Sequence, residues 1–317
     1  MKISEKITAI ALRNKRYFLL LASLVPIVIW SYVIYGARAL RLEGTALGVC
    51  LGIHLLSCVL SKYVFKKERM LFDLSFAITA LLLALSLPWN VRYPVLIGGC
   101  AVGMVMRELF GGLGKNPLNP ALFGRAFIEI FFTEQTRVIS AFEVNAQGSA
   151  LSAVLRNEIP GQDMSEMLLG RIDGNLGEIS AILIIISALF LIFSKVITWQ
   201  TPVFVVLSAT VVSVLLAPES ISYLHFTAGH LLGGGLLFCS VYFCTDPVTT
   251  PRTFSGRILF GALCGALAVV SRIYLSYECI YVLILLMGLW TPFIDRMFRP
   301  GVFGGLTHKV SKTEANG

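Results

Sequence analysis

Charged residues are scarce in this sequence: Asp, Glu, Lys and Arg make up 14% of its 317 residues, whereas hydrophobic residues make up 56%. The mean hydropathy is +0.80. A water-soluble domain cannot bury so much apolar surface, so the composition predicts an integral membrane protein surrounded by lipid. The alternating ten-residue segments of a transmembrane β-barrel are also missing, because the apolar runs are continuous. The fold class that remains is an all-α, polytopic integral membrane protein.

Patterns for metals, nucleotides and nucleic acids are missing as well. Only four His occur, and the seven Cys form no C-x-x-C pair, so we predict no metal or haem site in this chain. The Gly-rich segment around Lys115 lacks the Walker spacing, and no Rossmann fingerprint is present. We therefore expect neither nucleotide hydrolysis nor direct entry of electrons from a nucleotide. The net charge of +8 comes without a basic nucleic-acid motif, so no nucleic-acid partner is expected.

Ten apolar runs are present and predict the membrane-crossing helices. They lie near residues 18–36, 45–60, 71–88, 94–110, 119–132, 177–197, 201–217, 228–244, 258–275 and 277–294. Several are shorter than the roughly 20 residues that a perpendicular span requires. Short runs interrupted by Gly or Pro are typical of broken or re-entrant helices beside a binding site. We therefore predict about ten transmembrane helices, some of them broken.

The loop charges predict the orientation. If the amino terminus is cytoplasmic and all ten runs span, the basic segment Lys62–Arg69 and the basic tail lie inside, whereas the more acidic connection 133–176 lies outside. This predicts a multi-pass protein of the inner membrane with both termini cytoplasmic. The predicted divisions are a basic amino-terminal segment (1–17), a first membrane half (18–132), an extracytoplasmic connection that is the candidate flavin region (133–176), a second membrane half (177–295) and a cytoplasmic tail (296–317).

Two loops of similar sequence, residues 111–125 and 244–257, follow apolar runs. Each contains an Asn-Pro or Asp-Pro turn, a second Pro, and Gly-Arg at its end. Pro fixes φ and removes a backbone donor, and Asn and Asp tolerate tight turns. Irregular backbone survives at membrane depth only where protein or a cavity covers it. We predict that both loops are buried and together shape a binding pocket.

The two loops belong to a broader internal similarity. Arg41–Gly44 resembles Arg171–Gly174 at an offset of 130 residues, and the two Gly-Arg pairs lie 132 residues apart. A common offset favours a duplicated unit of four apolar runs, hence two structural repeats with broken helices. Chance similarity in a Gly-rich sequence is the alternative.

Charged residues within or beside the apolar runs are the candidate functional residues. Arg125 and Arg257 follow glycines at predicted helix starts, where free N–H groups favour a phosphate; the alternative is that they anchor the cytoplasmic side. Charges inside a membrane cost about 2.5–3.5 kcal/mol, so buried carboxylates are candidates for an ion path. They are Asp73, Glu108, Glu129, Glu178 and Asp246.

Each carboxylate also has a structural interpretation. Glu108 can pair with a basic group, Asp73 can lie at the membrane interface, and Asp246 can simply form its Asp-Pro turn. Our hypothesis is that Asp246 or Glu108 lies on the ion path.

Four stretches together resemble one family. They are Asp73–Pro88, Phe110–Ala121, Gly174–Ala181, and Thr245–Pro251 followed by Gly256-Arg257. They resemble the RnfD/NqrB family, the membrane subunit shared by Rnf complexes and the sodium-translocating NADH:quinone reductase. The resemblance implies an integral subunit that carries FMN. It also implies that the complex couples ferredoxin:NAD electron transfer to sodium or proton movement, with other Rnf-type subunits and membrane lipid as partners.

One departure from the family concerns the flavin. The family joins FMN to a Thr in a Ser-Gly-Ala-Thr-Pro-Leu-like stretch, which this sequence lacks. Gln147–Arg156 is the nearest match and places Ser149 at the Thr position. Covalent FMN on Ser149, a non-covalent flavin and no flavin all stay open, and Ser149 can instead cap a helix. Two rival functions remain: a solute or ion channel or transporter built from broken-helix repeats, and a cofactor-free scaffold subunit of the complex.

Overall fold

The computed structural model describes residues 3–63, 74–110, 116–136, 150–156, 164–170, 173–219, 221–275 and 279–298. These residues form fourteen helices and, within the described ranges, no strand. The helices are α1 (Ile3–Tyr35), α2 (Ala37–Tyr63), α3 (Ser75–Leu85), α4 (Tyr93–Leu109), α5 (Pro120–Phe131), α6 (Thr133–Thr136), α7 (Ala150–Leu155), α8 (Met164–Leu169), α9 (Ala181–Phe193), α10 (Gln200–Leu215), α11 (Tyr223–Leu232), α12 (Leu236–Tyr242), α13 (Phe254–Leu275) and α14 (Ile280–Met297). The predicted all-α class is confirmed.

The count of ten membrane spans is not confirmed. Every predicted apolar run contains a helix or a bent pair of helices. Among the described residues, however, only α1, α2, α13 and α14 are long and apolar enough to cross a membrane, and the pair α11 and α12, bent by 47°, would make a fifth. The apolar helices α3, α9 and α10 are shorter than such a span. Hydropathy therefore located these helices, and the number of them that cross the membrane fully stays a prediction.

The first two helices differ from their predicted ends. The predicted span 18–36 is the apolar part of a helix that starts at Ile3, and α2 starts at Ala37 rather than near residue 45. Gly36 alone separates the two helices, with a φ of +66°. This left-handed conformation costs Gly little and other residues more. Arg38 and Arg41, which fall between the predicted runs 18–36 and 45–60, are part of α2.

Broken segments satisfy each other's backbone groups in the interior. After α3 ends, the chain pairs with the segment that precedes α9: Leu176 N–H donates to the Leu87 carbonyl at 3.0 Å, and Gly177 N–H donates to the Leu85 carbonyl at 2.7 Å. Without such partners, an unwound segment would bury unpaired polar groups at high cost. The pairing explains how two helix ends can meet inside an apolar bundle.

Close helix packing frames these broken segments. α4 packs against α5, and α10 packs against α13. A Cβ added at Gly103 would lie 2.5 Å from the Pro120 carbonyl oxygen, and one added at Gly124 would collide with the Gly99 carbonyl. Small residues at such contacts let helix backbones approach, which is the main route to tight packing in membranes. The α4–α5 contact fixes α5 and the loop that precedes it.

Candidate functional site

The two Pro-containing loops meet through one side chain. Asn119 is the N-cap of α5, and its Oδ1 accepts the backbone N–H groups of Ala121 and Leu122 at 3.0 and 3.2 Å. Because the oxygen is engaged in the cap, the amide nitrogen faces away from the helix and donates to Asp246 Oδ2 at 2.9 Å. A residue of the first loop is therefore tied directly to a residue of the second.

Asp246 also organises its own turn. Its Oδ1 accepts the Val248 N–H at 3.1 Å, its Oδ2 accepts the Thr249 hydroxyl at 3.1 Å, and its carbonyl accepts the Thr250 hydroxyl at 2.6 Å. Burial raises the pKa of Asp246 above its ordinary value, while the hydrogen bonds from Val248, Asn119 and Thr249 act in the opposite direction. The carboxylate thus holds the turn, as the Asp-Pro sequence predicts, and its place on an ion path stays a prediction.

A cavity of about 450 Å³ lies between the two loops. Its wall is mostly apolar, with polar groups from several elements; among the lining residues are Tyr17, Ile78, Arg107, Asn116, Asn119 and Thr249. Cavities of roughly 300–1,000 Å³ with apolar walls and a few converging polar groups are typical of small-molecule sites. The prediction that the two loops shape a pocket is therefore confirmed in its geometry.

Arg107 lies in the cavity wall within a buried polar cluster. One terminal nitrogen donates to Glu108 at 2.9 Å, and the other donates to the Ser75 hydroxyl. Glu108 also accepts the Ser57 hydroxyl at 2.7 Å and lies 3.4 Å from His54 Nδ1. Glu108 therefore has the basic partner that its structural interpretation predicts, and a role on the ion path stays a prediction.

Arg125 does not stand at a helix start, so that expectation is wrong. α5 begins at Pro120, and by the sixth residue a backbone N–H already has a helical partner. The Arg125 guanidinium is buried; it donates to the Ser86 carbonyl at 2.9 Å and to Glu129 at 2.9 Å. These bonds hold Arg125 inside the bundle, and its proposed contact with a phosphate stays untested.

Glu178 belongs to the same interior region. It lies in the segment before α9 rather than within the helix, and it is buried. Its carboxylate accepts the Tyr281 hydroxyl and the Asn175 side-chain amide, the latter at 2.8 Å. The Arg125 guanidinium carbon lies 4.4 Å from the centre of the Tyr281 ring. Tyr281 thus connects two candidate residues, Arg125 and Glu178.

Arg257 lies elsewhere. It is in the first turn of α13, and its Nε donates to the Pro251 carbonyl at 3.1 Å. It does not line the cavity described above. Asp295, which the sequence analysis missed, accepts the N–H groups of Arg252 and Thr253 at 2.9 and 3.4 Å just before this helix. A carboxylate near a helix N-terminus is favourable, so Asp295 stabilises the start of α13. Contact of Arg257 with a phosphate stays a prediction.

Ser149 and Asp73 lie outside the described residues. α7 begins immediately after Ser149, and its Leu151 is buried beside Gly233, at the end of α11. Part of the connection 133–176 is therefore packed against the helical bundle. The attachment of a flavin to Ser149 and the ion role of Asp73 stay predictions.

Two buried polar pairs were missed by the sequence analysis. Arg272 on α13 donates to the His230 carbonyl at 2.6 Å, and Glu43 on α2 accepts the Ser31 hydroxyl at 2.8 Å. Polar residues inside otherwise apolar segments were the available signal for both pairs. Across the described ranges, no three His, Cys, Asp or Glu residues converge as a metal site.

The sequence of this chain is similar to those of known membrane-complex subunits. The model of a family described as "NQR2, RnfD, RnfE family" matches residues 9–304. The D subunit of the Na⁺-translocating ferredoxin:NAD⁺ oxidoreductase complex of Acetobacterium woodii is 27% identical over 291 residues, covering 89% of this chain and 88% of that protein.

Two further relatives are named for a different ion or a different electron acceptor. The D subunit of the proton-translocating ferredoxin:NAD⁺ oxidoreductase complex of Clostridium ljungdahlii is 28% identical over 302 residues, covering 89% of each chain. The B subunit of the Na⁺-translocating NADH-quinone reductase of Chromohalobacter salexigens is 34% identical over 238 residues, covering 70% of this chain and 58% of that protein.

Proposed function

The chain belongs to the NQR2, RnfD, RnfE family, and from this premise we propose that it is the D-type membrane subunit of an Rnf-type complex. The complex couples electron transfer between ferredoxin and NAD⁺ to the movement of sodium or protons. The similarity over nearly the whole length of two such D-type subunits supports this assignment. The relatives include both a sodium- and a proton-translocating complex, so the similarity leaves the choice of ion open.

The cavity between the two loops is the observation that carries the second part of the proposal, a bound flavin. Its volume of about 450 Å³ suits a small aromatic ligand, and its apolar wall suits a ring system. The wall also contains the Asn116 amide, the Tyr17 ring and the Arg107 guanidinium, which give it polar and aromatic groups among the apolar ones. The residues present therefore fit FMN or a related flavin held without a covalent bond.

A flavin bound there would supply one-electron chemistry, which protein side chains do not provide. The contribution of this chain is positional. The bond from Asn119 to Asp246 keeps the two loops together, and Arg107 is oriented by its bonds to Glu108 and Ser75. The apolar wall limits access of water to the ligand.

The buried carboxylates supply the ion-translocating part of the proposal. Glu108, Glu129, Glu178 and Asp246 lie in the bundle or at its loops, and each is held by hydrogen bonds to neighbouring side chains. Carboxylates in such places are rare unless they serve a function or a salt bridge. We retain Asp246 and Glu108 as the first candidates for the ion path. The proposal also includes an inner-membrane location, cytoplasmic termini and two structural repeats that arose by duplication.

Purification from native membranes tests the assignment to a complex. We expect further subunits to co-purify with the chain, the extracted cofactor to include flavin, and electron transfer to drive ion uptake in reconstituted vesicles. Flavin that leaves on denaturation supports the cavity, whereas an intact mass with a flavin adduct at Ser149 would support covalent attachment. A flavin-free complex that still transports would favour the scaffold subunit. Solute flux without a redox partner would favour a channel or transporter.

A further inference from the structure

The broken segments converge on a cluster formed by Asn175, Glu178 and Tyr281, here called the Glu178 cluster. All three residues are buried: Asn175 is 1% exposed, Glu178 3% and Tyr281 0%. A Cβ added at Gly235, in the break between α11 and α12, would collide with Glu178 Oε1 and lie 2.9 Å from the Tyr281 hydroxyl. The cluster therefore occupies the space that this helix break leaves open, and none of its three residues lines the cavity between the loops.

The hydrogen bonds indicate an ionised carboxylate. The Tyr281 hydroxyl and the Asn175 amide nitrogen both donate to Glu178, one to each carboxylate oxygen. Donors to both oxygens favour the charged form. Glu178 also lies two residues before Ser180, the N-cap of α9, where the helix dipole favours negative charge.

Asn175 adds an observation that points to a ligand. A carboxylate only accepts, so the Asn175 amide must turn its NH₂ group toward Glu178. Its Oδ1 is then left in the interior, and this atom has no hydrogen-bond partner in the structure. A buried acceptor without a hydrogen-bond donor is unfavourable, so a ligand at this atom would stabilise the fold. Carboxylate and amide oxygens are the ligands that hard metal cations prefer. An unpaired amide oxygen beside a carboxylate therefore matches a site for such a cation.

We propose that the Glu178 cluster binds a dehydrated sodium ion, with the Glu178 carboxylate and Asn175 Oδ1 as side-chain ligands. The inference rests on the proposed ion-translocating function and gives the ion a residence site apart from the flavin cavity. Unwound backbone beside half-helix ends is the setting in which membrane transporters hold coupling ions. Tyr281 orients the carboxylate and also stacks on Arg125.

The first test measures binding without requiring turnover. The full-length protein, in the assembly with which it purifies, is heated in NaCl, LiCl, KCl or choline chloride at equal ionic strength. We expect NaCl to raise the unfolding temperature saturably and KCl not to do so, because only a bound ion stabilises the folded state by mass action. Glu178→Gln and Asn175→Ala should remove most of the sodium shift. Glu43→Gln on α2, in the buried pair with Ser31, should keep it.

A second measurement uses wild-type protein and covers the case in which the variants fail to fold. Dicyclohexylcarbodiimide modifies buried carboxyl groups, and peptide mass spectrometry reports modification at Glu178. Protection by NaCl but not by KCl supports the site. Modification that depends on pH alone assigns a proton instead and overturns the sodium proposal, as does the absence of any sodium effect on unfolding and labelling.

Transport in reconstituted vesicles separates the two proposals. If electron-driven ion transport persists but sodium affects neither unfolding nor labelling, the Glu178 site is wrong while the proposed function stands. If wild-type protein binds sodium at Glu178 but no redox-driven transport occurs, the proposed function fails and the site remains.

Discussion

Asn119 and Asp246, 127 positions apart in the chain, are joined by a 2.9 Å hydrogen bond from amide to carboxylate. The same Asn119 side chain caps α5 through its oxygen. One residue therefore ends a loop, starts a helix and fixes the distance between the two walls of a cavity. The amide oxygen caps the helix and the amide nitrogen joins the loops, so a mutation that changes only the nitrogen separates the two roles.

Asn119→Asp should separate the cap from the contact between loops. Aspartate caps a helix as well as asparagine does, but it cannot donate to Asp246 and adds a like charge beside it. We expect the free energy of unfolding to fall by about 1.5–3 kcal/mol, because a hydrogen bond to a charged group is lost. The unfolding temperature should fall, and flavin binding should weaken. Ser180→Ala, which removes the N-cap of α9, is the matched control and should leave flavin content unchanged. Wild-type flavin content in Asn119→Asp would contradict the role given to this bond.

Ile78→Trp should fill the cavity without disturbing the loops. Ile78 lines the cavity from α3, and a Trp side chain there occupies space intended for the ligand. We expect the purified protein to lose most of its extractable flavin while its unfolding temperature in the absence of ligand changes little. Ile185→Trp, on an exposed part of α9, serves as the control because it adds the same bulk outside the bundle. Unchanged flavin content in Ile78→Trp would show that flavin does not bind in this cavity.

Arg125→Met should destabilise the bundle more than a double variant does. The single change leaves Glu129 buried without its cation, which typically costs about 3–5 kcal/mol. In Arg125→Met with Glu129→Leu, no uncompensated charge remains, so part of this loss should be recovered. The unfolding temperatures of the two variants test the order, and Arg41→Ala, on an exposed part of α2, should match wild type. Equal losses in the single and double variants would argue against a buried ion pair.

Gly103→Ala should loosen the contact between α4 and α5. The added methyl group meets the Pro120 carbonyl oxygen at 2.5 Å, so the helices must separate, at a cost of about 1–3 kcal/mol for overpacking. Gly52→Ala on α2 is the control, because a Cβ there meets no atom within 4 Å. Alanine also favours a helix over glycine by up to about 1 kcal/mol, so this control should be neutral or slightly more stable. Equal unfolding temperatures for the two variants would show that the α4–α5 contact tolerates separation.

Composition and hydropathy were enough to predict much of this protein. The scarcity of charge predicted a helical membrane protein, and the apolar runs located every described helix except α6, α7 and α8, which lie in the connection 133–176. Pro and Gly positions marked the two loops, and the Asp-Pro turn marked Asp246 as a loop residue. These properties depend on residues that are neighbours in sequence, so the sequence alone carries them.

Only the tertiary structure decided which polar groups face each other. Arg125 was expected to offer its charge to a phosphate, but α5 turns it toward Glu129 and the Ser86 carbonyl. Tyr281, which had no sequence signal, connects Arg125 with Glu178 across three separate segments. The energy of a buried charge depends on its partners in space, and hydropathy along the chain contains no information about them. For the same reason, the sequence predicted that two loops would be buried and shape a pocket, whereas only the tertiary structure decided that the Asn119 amide and the Asp246 carboxylate join them.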